Sequence, residues 1–214
     1  MERPRVGIVI PALNESQSIG QVVQQAGAYG LAIVVDDGSV DATGAIARSA
    51  GAEVVEHEEN LGYDEALNSG CARAAELGCA YIITMDADGQ HNPTLLKQYI
   101  HALVGGADVV AGVRDRTQRF SEWLFSRIAR ARWAIKDPLC GMKGYTIELY
   151  QQVGHFDSYQ SIGTELILFA ARCGMRIVQV PVMTRPRTGA PRFGRVLSAN
   201  WRIFRAMCVG MARN

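Results

Sequence analysis

The chain has 214 residues, 48% of them hydrophobic and 20% charged, with a formal net charge of +1. That length accommodates one domain with a substantial core, and the composition excludes general disorder. Charge is unevenly spread: acidic residues crowd the first half, no Asp or Glu follows Glu165, and arginines recur from Arg172 to Arg213. The asymmetry suggests a cation-binding half and an anion-binding half, or else a basic, solvated tail. Cys71, Cys79, Cys140, Cys173 and Cys208 are scattered without a CxxC pair. This argues against a disulfide framework or structural zinc and for a reduced, cytoplasmic setting. No run approaches the ~18 apolar residues of a spanning helix, so the expectation is a soluble or peripheral protein.

Val6 to Ile10 is a short β-branched run ended by Pro11, which predicts a buried strand. Asn14 or Ser16 is placed to cap a helix carrying Ile19, Val22 and Val23 on one side. A second strand, Ala32 to Val35, stops at Asp36-Asp37-Gly38-Ser39; Asp41 to Ala50 reads as a helix and Glu53 to Val55 as a third strand. After the turn Asn60-Leu61-Gly62 come a helix from Asp64 to Leu77 and a strand from Tyr81 to Met85. Pro93 opens a helix to about Leu103, and Asp108 to Gly112 makes a fifth strand. Then follow an amphipathic helix from Arg116 to Lys136, broken by Asp137-Pro138, a helix from Gly163 to Cys173, a strand from Arg176 to Val182 and a terminal helix from Val196 to Met211. Alternating strands and helices predict one α/β domain, Rossmann-like, with a mainly parallel central sheet flanked by helices.

In such sheets functional groups sit just past the carboxyl ends of strands. Asn14-Glu15, Asp36-Asp37, Asp86-Ala87-Asp88 and Arg114 all fall there. Two carboxylates one residue apart, as at Asp86 and Asp88, can converge on a hard cation such as Mg²⁺ or Mn²⁺ and share it with substrate phosphates. A solvated acidic turn is the competing reading. Asp36, Asp37 and Gly38 suit close hydrogen bonding to a nucleoside, while Asp41 suits a helix cap. Glu15 reads as the opposite wall of the same pocket or as a helix N-terminal acid. His91, beside the acidic turn, is a candidate to support the carboxylates from behind, and Cys140 reads as a buried small hydrophobe.

Several segments together resemble family-2 glycosyltransferases of the GT-A fold: Val9 to Glu15, Val34 to Ser39 with Asp41 and Thr43, Asn60-Leu61-Gly62, and Met85 to His91. Within that family, Gln90 to Pro93, Gly112-Val113-Arg114, Lys136 to Tyr145, Glu165, and Val180 to Val182 leading to Arg187-Thr188-Gly189 resemble dolichyl-phosphate mannose synthase and bacterial polyprenyl-phosphate glycosyltransferases. The resemblance implies a single domain spanning 1–214, with a nucleotide-sugar-binding part over 1–112 and an acceptor-binding part over 113–214. It implies inverting transfer of a hexose from a donor of the GDP-mannose or UDP-glucose type. Pro11, Ala12, Leu13, Glu15, Asp36, Asp37, Gly38, Asp86 and Ala87 would bind the donor, and Asp86, Asp88 and Gln90 would surround the divalent cation. Asp88, Arg114, Glu165 and Arg187 would be catalytic, with Arg114, Arg187 and Arg192 on the acceptor phosphate.

A hydroxyl acceptor needs a general base, for which many members carry an acidic pair; here Leu166 follows Glu165. A phosphate acceptor is already ionised and needs positioning more than deprotonation. Missing pair and abundant arginine therefore agree with a polyprenyl or dolichyl phosphate acceptor at the inner face of the cytoplasmic membrane. Glu165 as base toward a sugar or glycolipid hydroxyl is the rival. The amphipathic helices around Phe120–Trp133 and Trp201–Met211 read as core-facing or as lying on a membrane surface. A nucleotidyltransferase would need a Gly-rich, basic loop after the first strand, which Pro11 to Glu15 does not supply. A non-catalytic nucleotide-sugar-binding module is the remaining alternative; nucleic acid is not an expected partner, and the oligomeric state is open.

Overall fold

The computed structural model describes residues 5–115, 119–183 and 196–212. The chain alternates β1 (Val6–Ala12), α1 (Ile19–Gly27), β2 (Leu31–Asp37), α2 (Thr43–Ser49), β3 (Glu53–His57), α3 (Tyr63–Glu76), β4 (Tyr81–Thr84), α4 (Leu95–Val104) and β5 (Val109–Arg114). It continues through α5 (Phe120–Trp133), β6 (Lys143–Thr146), α6 (Ile147–Val153), α7 (Glu165–Arg172), β7 (Ile177–Val182) and α8 (Val196–Ala212). The strands form one seven-stranded sheet in the order β3-β2-β1-β4-β6-β5-β7. All pairs are parallel except those of β6, which runs antiparallel to both β4 and β5.

The strand sequences dictate a sheet covered on both faces. Every residue of β1 is buried, as expected of a β-branched central strand with helices on either side. Alternate residues part company: Ile8 and Ile10 pack with Val22 of α1 and Leu96 of α4, whereas Val9 packs with Leu67 of α3 and Ile167 of α7. Helix α1 buries Ile19, Val22, Val23 and Ala26, the i, i+3, i+4, i+7 stripe of a helix laid on a sheet. Gly70 lets α3 sit close to the centre of the sheet, because a Cβ there would lie 2.3 Å from Val9 Cγ1 and 3.0 Å from Val35 Cγ2.

The predicted strands are present, but two elements are not legible in the sequence. Strand β6 is Lys-Gly-Tyr-Thr, with none of the apolar run that marks the other strands, and it inserts between β4 and β5. Helix α6 follows directly, with Thr146 accepting a hydrogen bond from the Leu149 N–H (3.4 Å) and Gly154 ending it at φ 82°. The predicted Arg116–Lys136 helix is shorter: α5 ends at Trp133, where Ala134 turns left-handed (φ 58°). The expectation that Asn14 or Ser16 caps α1 is overturned. Helix α1 starts at Ile19, and Asn14, at φ 53°, instead accepts a hydrogen bond from the Val40 N–H (2.9 Å). The Ser16 N–H donates to Asp41 (3.2 Å). Both residues tie the loop after β1 to the loop after β2.

Gly70→Val should cost about 1–3 kcal/mol of stability, read as a lower urea midpoint, since neither Val9 nor Val35 has room to retreat within a covered sheet. An unchanged midpoint would show that α3 can move off the sheet.

Candidate functional site

Because β2, β1 and β4 are parallel neighbours, their carboxyl ends lie side by side. They deliver Asp36-Asp37, Pro11 to Glu15 and Asp86-Ala87-Asp88 to one edge of the sheet. Strand β6 enters at that edge, pairing Lys143 with Thr84, and so brings the preceding residues 137–142 against the acidic turn. Strands β4 and β5 both oppose β6, which places Arg114, at the carboxyl end of β5, on the same edge.

Asp86 is the open carboxylate of the acidic turn, its side chain 30% exposed. It lies over Gly141, where a Cβ would come within 2.8 Å of Asp86 Oδ2. Ala87 is buried, and Asp88, also buried, accepts a hydrogen bond from the Gln90 N–H (3.0 Å) across Gly89, at φ 72°. His91 lies buried behind the turn, its Nδ1 3.4 Å from the Asp86 nitrogen and 3.9 Å from Asp86 Oδ2. Among the described residues no three His, Cys, Asp or Glu converge as a closed metal cage. Two hard oxygen donors on a tight turn, one partly exposed over a bare glycine, do suit a cation that takes its remaining ligands from phosphates.

The paired aspartates at the end of β2 point to opposite faces of the sheet. Asp36 accepts from the Ser39 N–H (3.1 Å) and packs on Gly44 of α2, where a Cβ would meet its Oδ2 at 2.6 Å. Asp37 accepts from His57 Nδ1 (2.7 Å), Leu61 N (2.9 Å) and Gly62 N (2.9 Å), and His57 Nε2 lies 2.9 Å from Ser69 Oγ. Asp37 therefore pins the Asn60-Leu61-Gly62 turn to the sheet. Gly38 (φ 74°) does allow a close approach, but to the backbone of Glu59 and Asn60. Pro11 and Ala12 are buried in β1, and Leu13 is half-buried beyond it. Glu15 is buried; its N–H donates to Thr43 Oγ1 (2.8 Å) and its carboxylate accepts from Ser18 Oγ (2.9 Å).

Arg114 is held in a fork. Its Nε and Nη2 donate to Asp137 Oδ2 (2.7 Å) and Oδ1 (3.0 Å), its backbone N–H reaches Oδ2 (3.1 Å), and Glu122 of α5 lies 3.4 Å from Nη2. Burial works against both charges, yet the hydrogen bond and charge of the partner prevail: the Arg114 guanidinium is raised and the Asp137 carboxyl lowered from their ordinary values. Lys143 is buried beside this pair, and burial pushes its ammonium down despite the charges of Asp137 and Asp86. Burial, followed by the charge of Asp137, pushes the Cys140 thiol up to about 11, in keeping with a packed rather than nucleophilic cysteine.

Glu165, in the first turn of α7, accepts from the Ser158 N–H (2.6 Å) and Oγ (2.9 Å) and lies 3.1 Å from His155 Nε2. The neighbouring Asp157 is buried and accepts from the N–H groups of Tyr159 (3.0 Å) and Ser161 (2.8 Å). Asn68 of α3 fixes this turn by accepting from the Phe156 and Asp157 N–H groups, both 2.9 Å. Arg187 and Arg192 lie outside the described residues. Sequence reasoning passed over Asp137, Lys143, His57 and Asn68 as site-building residues. Beyond the helix break at Asp137-Pro138, Asp137 and Lys143 were legible only as members of the Lys136 to Tyr145 segment, with no role attached, and His57 and Asn68 carried no motif.

The family-2 glycosyl transferase model matches residues 7–162 of this chain. The chain belongs to glycosyl transferase family 2. An uncharacterised glycosyltransferase of Mycobacterium tuberculosis is 31% identical over 195 residues, covering 86% of this chain and 87% of that protein. A dolichyl-phosphate hexose transferase of Haloferax volcanii is 29% identical over 197 residues, covering 86% and 84%. Glucosyl-3-phosphoglycerate synthase of M. tuberculosis, solved with Mn²⁺ and uridine-diphosphate-glucose, superposes with a TM-score of 0.79 at 22% identity, covering 99% of this chain and 79% of that one. The fold is thus the GT-A glycosyltransferase fold, and the protein is a transferase.

One buried acid gives the transferase a pH signature. Asp64, in the first turn of α3, is raised to about 6 by burial and then by the charge of Asp157, partly offset by Arg202 and the Gly163 N–H. The native state then holds a proton that the unfolded chain has released, so Asp64 costs stability as pH rises from about 4 to 6. Asp64→Asn should raise stability at pH 8 by about 1–3 kcal/mol and leave it nearly unchanged at pH 4. Thermal melts at the two pH values check this; equal shifts at both would contradict the linkage.

Proposed function

We propose that this transferase moves a hexose from a nucleotide sugar to a polyprenyl or dolichyl phosphate, with inversion at the anomeric carbon. The observation that carries the donor side is the Asp86-Ala87-Asp88 turn at the end of β4, with the Asp86 carboxylate open over Gly141. Asp86 and Asp88, with Gln90 beside them, would hold Mg²⁺ or Mn²⁺, and that cation would neutralise the diphosphate as it leaves. The M. tuberculosis synthase, solved with Mn²⁺ and a nucleotide sugar on the same fold, supports this assignment. Pro11, Ala12, Leu13 and Glu15 would form one wall of the nucleoside pocket. Gly38 and the turn held by Asp37 would form the other, with Asp36 bracing α2 from behind.

On the acceptor side, a phosphate monoester brings its own charge and needs no base. The engagement of Glu165 by Ser158 and His155 supports a positioning role over proton abstraction. Arg114 gives Nε and Nη2 to Asp137, which leaves its other terminal nitrogen to meet a phosphate oxygen. Arg187 and Arg192 would supply the remaining positive charge, and Asp88, Arg114, Glu165 and Arg187 would frame the reaction. The dolichyl-phosphate hexose transferase relative supports the lipid phosphate acceptor. A donor part over 1–112 and an acceptor part over 113–214 describe the division of labour, although Gly141 also shapes the metal turn.

Release of nucleoside diphosphate from a panel of nucleotide sugars, with and without Mn²⁺ and polyprenyl phosphate, tests the whole reading. Turnover should require both additions, and Asp88→Asn should reduce it by about 10²-fold or more without unfolding the protein. Metal-independent turnover would remove the metal from the proposal. Glu165→Gln should retain most transfer to polyprenyl phosphate; loss of transfer with donor binding intact would instead favour the hydroxyl-acceptor reading with Glu165 as base.

A further inference from the structure

Four large aromatic side chains stand in solvent on two helices that pack together. Phe120 is 73% and Trp123 47% exposed on α5, while Trp201 is 66% and Phe204 44% exposed on α8. Each pair is stacked, at 5.6 Å and 6.4 Å between ring centroids. Exposed aromatics scattered singly are ordinary, but these are gathered: Ser121 Oγ, beside Phe120, donates to Asn200 Oδ1, beside Trp201, at 2.6 Å. The buried stripes of the same helices are satisfied elsewhere, with Phe125 and Ala129 of α5 and Ile203 and Met207 of α8 in one core cluster. The exposed faces of these aromatics therefore lie outside that core cluster.

The exposed charges of these two helices have one sign. Arg127, stacked over Trp123 at 5.9 Å, and Arg130 and Arg132 are exposed on α5, and Arg202 is exposed on α8. The sole carboxylate of the two helices, Glu122, is buried against Arg114 and Arg119. An aromatic strip fringed by arginines repels a second copy of itself and matches a surface that is apolar within and anionic at its face. No helix among the described residues is long and apolar enough to cross a membrane, so the pair would lie in the plane of the interface.

We propose that the adjoining faces of α5 and α8 dock on an anionic lipid bilayer, with Phe120, Trp123, Trp201 and Phe204 entering the headgroup region. The surface stands on its own exposure and charge; its link to catalysis rests on the lipid-phosphate acceptor reading. Glu122 joins α5 to Arg114 at the carboxyl end of β5, so docking brings the acceptor end of the sheet to the membrane.

The test is flotation with vesicles of phosphatidylcholine alone and of phosphatidylcholine mixed with phosphatidylglycerol. The protein should float with the anionic vesicles at low salt, poorly with the zwitterionic ones, and less as salt rises. Combining Phe120→Ser, Trp123→Ser, Trp201→Ser and Phe204→Ser should lower partitioning about tenfold or more, and Arg127→Glu with Arg130→Glu should do so with the aromatics intact. Thermal melts report whether each variant is folded, and the charge pair keeps the test decisive if the aromatic variant is not. Absence of wild-type flotation, or wild-type flotation of a folded variant, overturns the proposal. So does a wild-type dimer that the aromatic variant converts to a monomer while vesicles bind neither. Transfer to polyprenyl phosphate in detergent micelles is read separately: no transfer there with flotation intact would sink the acceptor reading and leave the docking surface standing.

Discussion

A carboxylate taken out of water must be met by donors, and that requirement organises the active edge of this protein. Asp36, Asp37, Asp64, Asp88, Asp137 and Asp157 are all buried, at strand ends, in loops or, for Asp64, in the first turn of α3. Each binds the loop that satisfies it: Asp37 the turn at Leu61 and Gly62, Asp88 the turn at Gln90, Asp137 the arginine at the end of β5, and Asp157 the turn at Ser161. Leaving one such group unmet costs more than a typical neutral contact returns. The loops around the site are therefore fixed by electrostatic necessity more than by apolar packing, which is confined to the two faces of the sheet.

This division explains what the sequence reveals and what it conceals. Apolar runs announce β1, β2, β4 and β5, because a strand covered on both faces must be apolar along its length. Asp86-Ala87-Asp88 was legible for the same reason: two acids directly after such a strand mark its carboxyl end. Strand β6 escaped because its four residues include Lys143, a charge that burial would ordinarily forbid, tolerated beside Asp137 and Asp86. The facing of Asp36 and Asp37 was hidden too. Adjacent residues on a strand point to opposite faces, yet a motif read as a string presents them as one pair. Only the placement of His57 and Gly44 shows which acid serves which side.

Strand β6 also couples parts of the chain far apart in sequence. Reversing direction between β4 and β5, it brings Gly141 under Asp86 and Asp137 onto Arg114 within one short segment. A parallel strand there would start from the opposite edge and deliver neither. The Asp86-Ala87-Asp88 turn and the arginine thus share a support, and a shift of residues 137–142 would disturb both. Division into donor and acceptor parts is a statement about ligands; mechanically the two ends are one unit.

The clamp on Arg114 shapes what the acceptor end can do. A guanidinium held by two oxygens of Asp137, with Glu122 close by, is nearly neutralised as a local charge but rigidly aimed. Such a group contributes direction more than attraction. Under the proposed lipid-phosphate transfer, drawing a doubly charged phosphate to this edge would require positive charge beyond this clamped guanidinium. The chain supplies it beyond Glu165, where arginines continue and acids stop. Under the same proposal, the separation of signs along the sequence would have a physical purpose: acids before the midpoint would bind the cation and order the loops, while arginines after it would gather the anion that the fixed Arg114 orients.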